Sequence, residues 1–228
     1  MLKKHLSSNK RALSAVGRMA IHTARMAVLA GCAMAMTLAH AGSYDDFFKA
    51  LQLDLAPSVS SLLERGIDPN SVDPIRGDPA LIYAIRYHSE KVIPVLLTAR
   101  DINIEARAQN GDTALMVAAY KGETAMVAAL LAKGAEPNRP GWTALHYAAA
   151  SGSIEIVRML LEKSAYIDAA APNHTTPLMM AAGGGQTSVI KFLLEEGADA
   201  TLKNDAGMTA KDFALKFADM KKVPSPYP

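Results

Sequence analysis

Apolar residues recur along this chain with two superimposed periods. A β-branched aliphatic residue, two variable residues and Leu-Leu appear five times. The copies are Val59-x-x-Leu62-Leu63, Ile93-x-x-Leu96-Leu97, Val127-x-x-Leu130-Leu131, Val157-x-x-Leu160-Leu161 and Ile190-x-x-Leu193-Leu194. Within a copy the spacing puts the apolar positions on one face of a helix. Between copies it is 34, 34, 30 and 33 residues. A second pattern precedes all but the first copy: Pro79-Ala80-Leu81, Thr113-Ala114-Leu115, Thr143-Ala144-Leu145 and Thr176-Pro177-Leu178, with a degenerate Thr209-Ala210-Lys211 at the end. Two phased patterns predict a solenoid of helix-turn-helix units, each too small to bury its stripe alone.

Each unit carries its own local signals. A Thr at the head of the first helix supplies a hydroxyl for an unpaired N–H. Ala118-Ala119, Ala148-Ala149 and Ala181-Ala182 let first helices approach closely. Gly122 and Gly152 turn the chain between the helices, and Gly66, Gly134 and Gly197 follow the second helix, where a left-handed residue is expected.

The fourth unit, Gly141, Trp142, Thr143, Ala144, Leu145, His146, Tyr147 onward to Gly152, resembles an ankyrin repeat, and the phased pattern extends that resemblance over residues 44–218. The resemblance implies an all-α solenoid with short β-hairpin fingers beside the first helices. About six units are expected, at 44–73, 74–107, 108–138, 139–170, 171–203 and 204–220, with 221–228 as a tail. The first and last units read as polar caps. Residues Arg139 and Pro140 alone separate Asn138 from Gly141, whereas seven residues separate Asn103 from Gly111. The finger between units 3 and 4 is therefore expected to be stunted, beside Trp142. Pro94 is expected to kink or shorten the second helix of unit 2. Arg100 and Ser164 stand where Gly is usual, which predicts less regular helix ends.

In ankyrin repeats the fingertips and exposed first-helix residues bind partners. Carried onto this sequence, those positions are Arg76, Arg86 and Tyr87, then Asn110, Asp112, Tyr120 and Lys121, then Arg139 and Trp142; Ile75, Asp78, Gln109, Ser151, Asn173 and Thr175 share their phase. Trp142, Tyr120, Tyr87, Arg86 and Arg76 are expected on one face, and aromatic and Arg side chains are favoured as interface anchors. The resemblance assigns His146 to a capping hydrogen-bond network within its repeat.

Composition and charge narrow the classes. The chain is 228 residues, 50% hydrophobic, with a formal charge of +2. Residues 1–41 carry six Lys or Arg and no acid; the rest carries 18 basic against 22 acidic residues. No cationic cluster in this body suits phosphate neutralisation, so nucleic acid is not an expected partner. The basic head is followed by an apolar stretch, 26–38, that ends in Ala39-His40-Ala41. That order predicts a secretory signal, with a mature chain from Gly42. The stretch is too short to span a bilayer. Met19 is an alternative start. Leu29-Ala30-Gly31-Cys32 resembles a lipobox, which offers lipidation at Cys32 as a second reading; its short preceding apolar run and the apolar residues after Cys32 count against it.

Candidate chemistry is sparse. His88, His146 and His174 occupy three phases of the repeat, so no metal site is expected. Gly183-Gly184-Gly185 lacks the Lys and spacing of a phosphate loop. There is no G-x-S-x-G, H-E-x-x-H or dinucleotide fingerprint. The reading is a non-catalytic, cofactor-free, monomeric module in the periplasm that binds a protein partner. Secretion as an effector on a host protein, or neutralisation of a toxin as an immunity protein, are the alternatives. Small periplasmic ankyrin proteins of bacteria are linked to peroxide defence, which the resemblance makes a candidate context.

Overall fold

The computed structural model describes residues 43–222, and the expected signal and lipidation site lie outside the described residues. Residues 43–52 form helix α1. Ten further helices follow: α2 Ala56–Glu64, α3 Ala80–Arg86, α4 Val92–Thr98, α5 Ala114–Lys121, α6 Thr124–Ala132, α7 Ala144–Ser151, α8 Ile154–Glu162, α9 Pro177–Gly183, α10 Thr187–Glu195 and α11 Ala210–Lys222. First helices stack on first helices, α3 on α5, α5 on α7, α7 on α9 and α9 on α11. Second helices form another row, with α2 on α4, α6 on α8 and α8 on α10. The expected all-α solenoid is what forms. Its fingers are narrower than expected: among the described residues they close by isolated bridges, Val72 with Pro79 and Arg107 with Thr113, rather than by strands. The finger before Trp142 makes no such bridge, in keeping with its two-residue length.

The Leu-Leu stripe is the core. Leu96, Leu130, Leu160 and Leu193 have no exposed surface, and each such side chain contributes about 1.5–3 kcal/mol through burial. The stripe changes phase only in unit 5. There Val189 is fully buried, Ile190 is half-buried and Leu194 is exposed. Among the described residues no second helix follows α11 to cover the outer side of α10. That final helix also runs through Lys222, two residues beyond its expected end.

Caps follow the sequence signals. The hydroxyls of Thr113 and Thr176 accept the N–H groups of Met116 and Met179, each at 3.4 Å. Thr209 instead donates its N–H and hydroxyl to Asp212 Oδ2, at 2.8 and 2.7 Å. α4 is capped from the preceding unit: Asp54 Oδ1 accepts the N–H groups of Lys91 and Val92 at 2.8 and 3.0 Å. α4 therefore starts at Val92 and has seven residues, against nine in α6, α8 and α10. Pro94 falls in its first turn, where a missing N–H breaks no intrahelical bond. The helix is shortened rather than kinked. Ser164 adopts the left-handed conformation (φ +61°), but after α4 that conformation passes from Arg100 to Asp101 (φ +61°), one residue late.

A polar ladder ties successive units along the loops that leave the second helices. Asn70 Nδ2 donates to the Asp101 carbonyl at 2.9 Å, and its Oδ1 accepts the Asn103 N–H at 2.7 Å. Glu105 accepts the Glu136 N–H at 2.8 Å. Asn138 repeats the Asn70 arrangement on Ser164 and Tyr166. Asp168 accepts the Asp199 N–H at 3.1 Å.

Candidate interaction surface

Each first helix ends with residues that project beside the fingers. The 34- and 30-residue offsets align Arg86 with Tyr120 and Ala150, Tyr87 with Lys121 and Ser151, and Tyr83 with Val117 and Tyr147. The face is therefore aromatic over units 2 to 4 and small over unit 5, where Gly183 and Gly184 continue the rows.

Tyrosines dominate this face. Tyr83 meets Phe48 edge-on with ring centroids 5.0 Å apart, and meets Tyr87 at 4.6 Å. Tyr120 meets Tyr147 edge-on at 6.0 Å. Tyr120 is 61% exposed and Tyr87 39%, whereas Tyr83 is buried. Burial, reinforced by the neighbouring Tyr87 hydroxyl, pushes the Tyr83 phenol up to about 12. Tyr147 is also raised, first by burial and then by Asp112, whose Oδ1 accepts its hydroxyl at 2.7 Å.

Charged residues frame the tyrosines. Arg86 Nε stands 2.9 Å from Oδ2 of the buried Asp78. Asn110 Nδ2 donates to Asp112 Oδ2 at 2.6 Å. Arg76, Asp78, Arg86, Gln109 and Asn110 line a polar hollow of about 330 Å³ between the fingers of units 2 and 3. Lys121 Nζ lies 2.7 Å from His88 Nε2, and His88 Nδ1 lies 2.5 Å from Glu123 Oε1. Of the expected binding residues, Arg76, Arg86, Asn110 and Asp112 gather around the hollow and the Asp112–Tyr147 contact. Tyr87 and Tyr120 are exposed, as their phase predicts.

Two expected residues serve other contacts. Trp142 is half-buried, edge-on to the His146 ring at 5.3 Å and 75°. Arg139 Nη2 pairs with Glu105 Oε2 at 2.8 Å, linking the end of unit 2 to the start of unit 4. Tyr83 and Tyr147 were missing from the expected set. Their common phase in the repeat was the available signal, but an inward-facing aromatic reads as core. His146 does form its expected network. Its ring is fully buried; Nδ1 accepts the Thr143 N–H at 3.2 Å and Nε2 donates to the Thr175 carbonyl at 2.9 Å. Burial lowers its pKa, so the neutral ring with hydrogen on Nε2 is the species held.

Similarity to known proteins matches this geometry. The family model described as "Ankyrin repeats (3 copies)" matches residues 47–140, 101–171 and 136–204, well over half of the chain. This chain belongs to the ankyrin-repeat family. It is 31% identical over 160 residues to human transient receptor potential cation channel subfamily A member 1, covering 65% of this chain and 14% of that protein. It is 30% identical over 157 residues to the mouse B-cell lymphoma 3 protein homolog, covering 66% of this chain and 35% of the relative. The Arabidopsis thaliana E3 ubiquitin-protein ligase KEG is 36% identical over 99 residues, covering 42% of this chain and 6% of the ligase. This ankyrin chain thus spans well under half the length of each of these relatives. The repeats themselves are a non-catalytic interaction fold. Among the described residues no helix is long and apolar enough to cross a membrane.

Proposed function

We propose that this ankyrin-repeat chain is a non-catalytic protein-interaction module, exported to the periplasm, that grips a protein partner through its first-helix face and fingers. The observation that carries the reading is Tyr120. It is 61% exposed, braced edge-on by Tyr147, and flanked by Arg86 and Lys121 in adjacent repeat positions. A rigid, exposed aromatic beside cations has the composition that interface anchors favour. Arg86 is held by Asp78, so little ordering is left to be lost on binding. The basic head and apolar stretch ending at Ala41 support export, and a stress-related role such as peroxide defence is the physiological setting proposed with it.

Crosslinking in intact cells, followed by mass spectrometry, identifies the partner. The double variant Tyr87→Ala, Tyr120→Ala is expected to lose those crosslinks while remaining folded, its thermal midpoint only a few degrees lower for the lost ring contacts with Tyr83 and Tyr147. Recovery of the same partners with both rings removed overturns the surface assignment. Osmotic-shock fractionation tests the compartment; a chain retained wholly in the cytoplasm overturns the export reading.

A further inference from the structure

The second helices meet at three joints of their row: α2 meets α4, α6 meets α8 and α8 meets α10. Between α4 and α6, by contrast, a groove lies open. Two sequence features open the gap. α4 is the shortened helix, started late by the Asp54 cap and carrying Pro94 in its first turn. α6 presents Ala125, Ala129 and Ala132, residues too small to bridge the space. The result is a groove of about 520 Å³ on the side of the solenoid away from the tyrosine face. Ile93, Leu97 and Met126 give it an apolar lining.

The charges at its ends differ. Glu90 and Glu123 stand where α4 and α6 begin, and Lys133 where α6 ends. Among the described residues no ion pair or side-chain hydrogen bond engages Glu90 or Lys133. Glu123 is shared with His88. An apolar lining offers no partners to the backbone of an extended strand, whereas a helix satisfies its own N–H and C=O groups. A stable helix carries acids in its first turn and bases in its last. Such a helix meets both ends of this groove favourably in one orientation only, antiparallel to α4 and α6.

We propose that this groove docks an amphipathic helix of a partner protein, lying antiparallel to α4 and α6. Its apolar stripe covers Ile93, Leu97 and Met126, its basic last turn faces Glu90 and Glu123, and its acidic first turn faces Lys133. This surface is independent of the tyrosine face, so one can fail while the other stands.

The test uses the full chain and two fluorescent, stapled helical peptides with the same apolar stripe. One carries Glu in its first turn and Lys in its last; the other has these charges exchanged. The first peptide is expected to bind saturably, and more tightly than the second. Ala129→Trp fills the groove and weakens it by about tenfold, equivalent to about 1.4 kcal/mol. Glu90→Lys, at an exposed position on the groove's rim, weakens the first peptide and tightens the second. Tyr87→Ala with Tyr120→Ala leaves both unchanged. Equal binding of the two peptides, no saturable binding at millimolar concentration, or binding indifferent to both Ala129→Trp and Glu90→Lys overturns the proposal. Sedimentation of the chain alone gives a further outcome: a dimer dissolved by Ala129→Trp assigns the groove to a second copy and overturns docking of a partner.

Discussion

His146 in unit 4 donates through Nε2 to the carbonyl of Thr175 in unit 5, at 2.9 Å, while Nδ1 of the same ring accepts the Thr143 N–H. The ring is both a helix cap and a bolt between units. In units 3 and 5 the same position is Met116 and Met179, whose sulfurs accept the Thr113 and Thr176 N–H groups at 3.4 and 3.5 Å. Only the histidine reaches across.

That difference makes unit 4 sensitive to acid. Burial holds the imidazole below its ordinary value of 6.5. Protonation is then more favourable in the unfolded chain, so stability rises with pH. The contribution is complete above the unfolded value near 6.5 and is lost as pH falls through the lowered folded value. His146→Met, which borrows the neighbouring units' own solution, is expected to flatten the fall in thermal midpoint between neutral and mildly acidic pH. It also gives up the Thr175 contact, at about 1 kcal/mol near neutral pH. Thermal melts of both proteins across that range check it; an unchanged acid slope in the variant refutes the assignment.

Asn138 holds the next unit by two bonds at once. Its Nδ2 donates to the Ser164 carbonyl at 2.7 Å and its Oδ1 accepts the Tyr166 N–H at 2.8 Å. Asn138→Ala removes both and is expected to lower stability by about 1–2 kcal/mol. Asn138→Asp keeps the acceptor, as Asp168 does one unit later, and is expected to fall between the two. Chemical denaturation of the three proteins gives the order, which reverses if the bonds are incidental.

Two left-handed glycines separate backbone strain from crowding. Gly134 (φ +88°) has nothing within 4 Å of an added Cβ, whereas at Gly152 (φ +80°) that atom would crowd the Gln186 side-chain amide, whose Nε2 is bonded to the Ala150 carbonyl at 3.0 Å. Gly134→Ala bears the cost of the left-handed backbone, about 1–2 kcal/mol. Gly152→Ala bears that cost and also displaces Gln186 from Ala150. It is expected to be the more destabilised in equilibrium unfolding; equal losses mean that Gln186 swings aside freely.

The repeat itself was legible because each unit restates the same physics: a Thr cap, paired alanines, a glycine turn and a Leu-Leu stripe. What escaped was whatever crosses between units. Asp54 capping α4 joins residues 37 and 38 positions apart, and no local pattern announces it. It moves the start of α4, puts Pro94 in a harmless first turn, and leaves the space beside α6. The stripe predicts Ile190 buried like its counterparts; it is half-buried, because among the described residues no further second helix packs on α10. The surface divided in the same way. Tyr87 and Tyr120 follow from phase alone. Trp142 and Arg139 share the fingertip positions but are engaged by His146 and Glu105, partners the sequence does not place beside them.

Trp142 and Tyr120 therefore part ways under substitution. Both were expected to anchor a partner without supporting the fold. Trp142 rests edge-on against the buried His146 cap, at 5.3 Å. Trp142→Ala uncovers that ring and its Thr143 contact, and an aromatic pair contributes about 0.5–1.5 kcal/mol beyond the area it buries. Tyr120 is 61% exposed, and among the described residues its hydroxyl enters no hydrogen bond. Tyr120→Ala loses only the edge of Tyr147, so its thermal midpoint is expected to stay within a degree or two of the parent, whereas Trp142→Ala melts several degrees lower. The ultraviolet absorbance of the tyrosines gives a second reading. In the parent, Tyr83 should titrate near 12, above solvated phenols. Because its folded value is raised, its share of stability is complete below pH 10 and declines as pH climbs from there towards 12. Tyr120→Ala leaves that limb unchanged. Tyr83→Phe removes it, and an alkaline limb that survives Tyr83→Phe assigns the effect to Tyr147 instead.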